Sequence, residues 1–286
     1  MHKGRIVSRE TTYLRQKTKI MASLHFESTG SGKPILALHG YGASLFSWRH
    51  LPPAVPDRRV IRVDLPGHGG SPAPADGRYG LADHAAKIID FIGEQKLEVF
   101  DLIGHSFGGG VALMIALDFM KRRPGSVSSL TLLDSLALPQ RLPGFIMVAN
   151  IPRIGPAVLP RLPARLMVGA VLRSVFHDRR RITEEAIDIY ARNLATKERR
   201  HALLETARHI IPDDVPRLVE RYHRLKQPTL LIWGRQDKII RPSTAIALNI
   251  LIEGSKPIMI DDCGHAPQEE RPEITMPAIR DFLATL

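Results

Sequence analysis

The sequence predicts an α/β fold: a doubly wound, mostly parallel sheet with a helical segment inserted between two core strands. Three observations point to it. Short apolar runs bounded by turn residues alternate with stretches of helical periodicity, the alternation stops over one Pro-punctuated helical block, and it then resumes to the end of the chain. A strand covered by helices on both faces reads as a near-continuous apolar run, and these runs have that character.

In chain order, residues 1–20 form a basic arm of net charge +5, without the apolar stretch and cleavage site of a secretory signal. PILALHG (34–40), RVIRVDLPG (59–67) and FDLIGHS (100–106) follow as buried strands, then SLTLLDS (129–135), PTLLIWG (228–234) and PIMIDDCG (257–264). Between them, residues 81–95 place Ala85, Ile88, Ile89 and Ile92 at helical spacing, and residues 109–123 form an apolar helix stopped by Pro124 and Gly125. Residues 166–176, 183–195 and 197–211 are helices of the inserted block. The expected organisation is a basic arm (1–20), a core (21–135 and 226–286) and a helical cap, or lid (136–225).

The chain has 286 residues, 44% of them hydrophobic, enough for one large core with an insertion. One cysteine, Cys263, allows no internal disulfide, so a reducing cytoplasm is expected. No apolar run approaches the roughly 18 residues of a spanning helix. The net charge of +11 resides in the arm and in residues 136–225, which carry +7. With no RNA-binding aromatic motif and no zinc-ligand spacing, a nucleic-acid partner is not expected and the charge reads as solvated surface. Attraction of the cap to an anionic membrane surface or an acidic substrate is the sharper reading.

Gly104-His105-Ser106-Phe107-Gly108 is a G-x-S-x-G motif set directly after an apolar strand and before a helix. The turn strains the central residue and leaves no room for side chains at its neighbours, so Ser106 projects alone at a helix amino end, where N–H groups favour negative charge. A serine hydroxyl needs a base to attack a carbonyl. His265, after the last strand and preceded by Gly264, is the candidate. The imidazole in turn needs a carboxylate to fix its tautomer. Asp237, four residues after the strand ending at Trp233, is the first choice, and Asp134, ending the strand 129–134, is the alternative. Asp261 and Asp262 are too near His265 in sequence and read as turn carboxylates. Oxyanion donors are expected from the backbone N–H groups of Phe107 and Tyr41, the latter in the loop HGYGAS, where His39 and Gly40 shape the turn.

With HGYG, RVDLPGHGGS, GHSFGG, WGRQD and GHAPQEERPE in that order, the sequence resembles the lid-bearing branch of the α/β-hydrolase superfamily over residues 22–286. The resemblance implies an eight-stranded sheet with one antiparallel strand within residues 21–32, and no metal or organic cofactor. Haloalkane dehalogenases and epoxide hydrolases carry aspartate where this chain has Ser106. The meta-cleavage carbon–carbon hydrolases commonly place Asn before the nucleophile and Trp after the base, positions held here by His105 and Ala266. A small-molecule carboxylic ester is therefore the expected substrate, cleaved through an acyl-enzyme on Ser106. Carbon–carbon hydrolysis of a vinylogous diketone is the enzymatic alternative, and a hydrolase-fold small-molecule receptor the non-enzymatic one.

Overall fold

The computed structural model describes residues 23–151, 161–212 and 214–286. The basic arm lies outside them. Strand β1 (Phe26–Thr29) runs antiparallel to β3 (Arg59–Val63); β2 (Pro34–Leu38), β3, β4 (Phe100–His105), β5 (Val127–Leu133), β6 (Thr229–Gly234) and β7 (Lys256–Ile260) run parallel. The order across the sheet is β1-β3-β2-β4-β5-β6-β7. Every run read as a strand is one, and β1 supplies the antiparallel strand within residues 21–32. The sheet has seven strands among the described residues where the resemblance implies eight. No strand is described beyond the free edge of β1, and residues 1–22 lie outside the description.

The winding direction reverses between β2 and β4, because β3 lies on one side of β2 and β4 on the other. Loops leaving the carboxyl ends of two such strands diverge, which opens a crevice there. The loops in question are residues 39–44 and the turn at Ser106.

Alternation along the strands divides the core into two layers. Leu36, Leu38, Ile61, Leu102 and Leu132 face one side, packing with Ile88 and Ile92 of α1 (Leu81–Glu94) and Val111 and Ile115 of α2 (Phe107–Arg122). Ile35, Ala37, Val60, Ile103 and Ile232 face the other, against Met276, Ile279 and Phe282 of α9 (Pro272–Leu283). Each fully buried aliphatic side chain stabilises the fold by about 1.5–3 kcal/mol before chain entropy is counted.

Between β5 and β6 lie α3 (Gly144–Ala149), α4 (Ala164–Val175), α5 (Glu184–Arg192), α6 (Lys197–Arg208) and α7 (Val215–Glu220). Thr183 and Thr196 cap α5 and α6, their hydroxyls accepting from Ala186 N at 3.1 Å and Arg199 N at 3.3 Å. The inserted block has its own small core of Val168, Leu172, Phe176, Ile187, Tyr190 and Leu203, which packs on Tyr41, Phe46 and Ala266. It thus rests on the loops at the carboxyl end of the sheet. No described helix is long and apolar enough to cross a membrane. α8 (Ser243–Leu251) lies between β6 and β7.

Candidate active site

Ser106 sits between β4 and α2 with φ 53° and ψ −119°, a backbone that an L-residue adopts only when its surroundings impose it. Backbone packing imposes it here. A Cβ on Gly104 would come within 2.5 Å of Gly108 O, and one on Gly108 within 2.4 Å of His39 O. Ser106 N donates to Leu133 O at 2.9 Å, and its carbonyl accepts from Leu136 N at 2.9 Å. Its neighbours His105 and Phe107 are buried, while Ser106 itself is partly open. Helix α2 therefore begins at Phe107, two residues before the start read from periodicity, because the strained serine is itself the turn.

His265 is brought to Ser106 from 159 positions away: Nε2 lies 2.8 Å from Ser106 Oγ, and Nδ1 lies 2.8 Å from Asp237 Oδ2. Two backbone contacts hold the ring. His265 N donates to Val175 O at 2.8 Å, and His265 O accepts from His105 Nε2 at 2.6 Å. Burial lowers the His105 pKa to about 3, and the neighbouring His265 adds to this, so His105 is a neutral donor.

Glu270 also anchors the histidine loop, a contact the residue pattern did not single out. Wholly buried, it accepts from Gly264 N at 2.7 Å through one oxygen and from Asp178 N at 2.6 Å through the other. It ties the histidine loop to the turn that follows α4 in the inserted block. Its signal in the sequence was an acid pair, Glu269-Glu270, closely following Gly264-His265.

The two candidate acids are placed differently. Asp237 reaches His265, and its other oxygen accepts from Ile239 N at 2.7 Å and Ile240 N at 3.1 Å. Burial pushes its pKa up, but the charge and hydrogen bond of His265, with hydrogen bonds from Asp134 and Ile239, outweigh this, and the net shift is down. Asp134 is fully buried at the end of β5 with φ 41°, and its Oδ1 accepts from Gly234 N at 3.1 Å. Its Oδ2 has no donor among the described residues and faces Asp237. Burial, then the Asp237 charge, raise its pKa well above the carboxylate range. The pocket thus favours the ionised form of Asp237 and the protonated form of Asp134.

Asp134, Asp237 and His265 offer atoms within 4.8 Å of one another, the spacing of a metal cluster. Both nitrogens of His265 are already engaged and burial pushes Asp134 toward its protonated form, so the donor set fits a proton-sharing group better than a cation.

The loop after β2 closes on the serine. A Cβ on Gly40 would lie 3.2 Å from Ser106 Cβ and 2.9 Å from His105 Nδ1. His39 donates from Nδ1 to Gly40 O at 2.8 Å and accepts from Leu65 N at Nε2, 3.0 Å, so both its nitrogens are used in shaping the loop. The Tyr41 hydroxyl donates to Leu203 O at 3.0 Å, and its ring stacks on Phe145 with centroids 6.4 Å apart. Phe107 opens α2, so its N–H has no carbonyl one turn back within the helix. Asp261 is exposed and paired with Arg235, and Asp262 with Arg271 at 3.7 Å, neither touching His265. Of the arginines in the inserted block, Arg165 is engaged by Glu184 and Asp188.

A nucleophile elbow at the switch point of a doubly wound sheet, with histidine and aspartate delivered from later strands, defines a class of hydrolase. The chain belongs to the alpha/beta hydrolase family, whose model matches residues 35–278. It is similar to the 2-hydroxymuconate semialdehyde hydrolase of Pseudomonas sp. (strain CF600), 29% identical over 93% of this chain and 91% of that one. It is also similar to the monoacylglycerol lipase ABHD6 of Homo sapiens, 28% identical over 91% of this chain and 78% of that one. Among solved structures, a thermophilic esterase from Thermogutta terrifontis matches with a TM-score of 0.74 and 26% identity, covering 92% and 93% of the two chains.

Proposed function

We propose that the protein is a serine hydrolase of carboxylic esters, working by two-step acyl transfer. The observation that carries this is the Asp237–His265–Ser106 relay, with 2.8 Å at both joints. Asp237 holds the proton of His265 on Nδ1 and leaves Nε2 free to accept. As Ser106 Oγ attacks the ester carbonyl, its proton passes to Nε2, and the imidazolium is stabilised by the ionised Asp237. The oxyanion rests on the N–H groups of Phe107 and Tyr41. Collapse of the tetrahedral species expels the alcohol, which takes the proton from Nε2. Water, deprotonated at Nε2 in its turn, then releases the acid and restores Ser106.

Asp134 is the positioning residue of this relay. Its protonated carboxyl donates to Asp237, which keeps the latter ionised and fixed in a buried pocket. The inserted helices form a cap: Tyr41 is tied to Leu203, and His265 N to Val175 O, so the cap and the two catalytic loops share a packed surface.

Replacing Ser106 with alanine should lower turnover of a p-nitrophenyl ester by at least about 10⁴-fold with the fold intact. Retained turnover would remove Ser106 from the mechanism. The likeness to 2-hydroxymuconate semialdehyde hydrolase favours a second reading, carbon–carbon hydrolysis of a vinylogous diketone. Parallel assays on a short-chain ester and a ring-fission dienoate separate the two. The ester should be cleaved at least about tenfold more efficiently, and the reverse preference would replace the ester reading with the second one.

A further inference from the structure

A cleft of about 500 Å³ lies beside the site, between α3, α4 and the loop that follows β6. Phe145, Val171 and Ile239 contribute apolar walls. Arg173, Arg179 and Lys238 also line it, with His177 beside them, and no Asp or Glu does among the described residues. All three cations are exposed, and none forms an ion pair among the described residues. The acids nearest them in sequence are engaged elsewhere: Asp178, beside Arg179, is bonded to Arg180 at 2.9 Å, and Asp237, beside Lys238, to His265 at 2.8 Å. Many other arginines of this chain are matched to carboxylates, among them Arg49, Arg58, Arg78 and Arg181. Three unmatched cations around apolar walls repel one another, and an anion among them removes that cost.

The walls of the cleft continue into the loops of the relay. Phe145 stacks on Tyr41, Gln236 and Lys238 flank Asp237, and Val175, another wall residue, supplies the carbonyl that takes His265 N–H. Ser106 itself lies outside the walls, so a molecule in the cleft would be held beside the reacting centre rather than on it.

Resting on the ester-hydrolase reading of Ser106, we propose that this cleft receives the anionic end of an amphipathic substrate, a carboxylate or phosphate on an apolar body whose ester carbonyl reaches the serine. The apolar walls take the body, and Arg173, Arg179 and Lys238 take the charge. A concave site with a few cations on apolar walls suits one small anionic molecule better than a flat lipid surface.

The test compares p-nitrophenyl hexanoate with two esters of equal chain length that end in a carboxylate or a phosphate. At low salt, kcat/KM should favour at least one anionic ester by about tenfold or more, mainly through KM, and salt should erode the preference. The ratio should fall toward one in the Arg173→Ala/Arg179→Ala/Lys238→Ala protein and be partly restored by lysine at both arginine positions. Equal rates in the unaltered protein, or a ratio that survives the triple substitution, would overturn the proposal. Calorimetric titration of hexyl phosphate and hexanoate into Ser106→Ala protein reads the cleft without chemistry. At least one should bind about tenfold more weakly when the three cations are also removed, and equal binding sinks the proposal. Absence of fluorophosphonate labelling at Ser106 would instead defeat the ester reading, and the titration alone would then decide the cleft.

Discussion

Asp134 and Asp237 are the same residue type in one pocket, and their surroundings push their pKa values in opposite directions. Asp237 accepts from a histidine and two backbone amides, whereas Asp134 has one amide donor and faces a negative neighbour. Replacing Asp237 with asparagine should cost about 10⁴-fold in kcat, because the amide cannot hold the imidazole in its reactive tautomer. Asparagine at Asp134 can still donate to Asp237 and should leave kcat within about threefold, whereas alanine removes the donor, worth about 1–3 kcal/mol to a buried charge. The Asp237 pKa is depressed in the fold, so its contribution is present at high pH and lost as pH falls through the folded value. Loss of the Asp134 donor raises that value. The acid limb of the kcat profile in Asp134→Ala should therefore move to higher pH, and an unmoved limb would show that Asp134 only fills space. The sequence offered both acids as candidates; the choice between them depends on which side of one imidazole each carboxyl reaches.

Among the elements, the β4–α2 turn and the histidine loop carry the geometry. A methyl group on Gly108 would meet His39 O at 2.4 Å and Leu38 O at 2.6 Å, both backbone atoms of the adjacent strand end. Gly108→Ala should accordingly lose soluble, cooperatively melting protein, not merely activity. Glu270→Gln keeps the volume but turns one acceptor into a donor facing a backbone N–H. The histidine loop should then shift, lowering kcat by up to about 10²-fold with KM little changed; an unaltered kcat would show that the loop is held by other contacts. The strands were legible because apolar runs flanked by turn residues leave little choice of structure. Glu270 was not, because an acid pair near a chain turn reads as solvated surface until the loop folds over it.

At the scale of the whole molecule, a line of buried histidines joins the loop after β2 to α1. His39, His68 and His84 have ring centroids 5.6 and 5.9 Å apart, and His84 packs edge-on against Phe107 at 5.0 Å. Burial lowers all three pKa values, that of His68 to about 4. The unfolded chain takes up these protons near the ordinary imidazole value of about 6.5, while the folded protein resists them, so stability is full above that pH and declines as pH falls toward 4. His68 alone would cost about 3 kcal/mol across that window. Urea midpoints at pH 7.5 and 4.5 should differ accordingly, and His84→Phe, which removes two ring nitrogens without partners, should narrow the gap. An unchanged gap would show that His84 plays no part in the acid response. The sequence by itself determined the sheet and singled out Ser106 and His265 as candidates, because strand–turn–helix chemistry and glycine spacing are local and visible along the chain. Only the tertiary structure decided that Asp237 and not Asp134 meets His265, that Glu270 holds the loop, and that unmatched cations gather in one cleft. Those are relations between residues far apart in sequence, and they exist only once the sheet and the inserted helices have packed together.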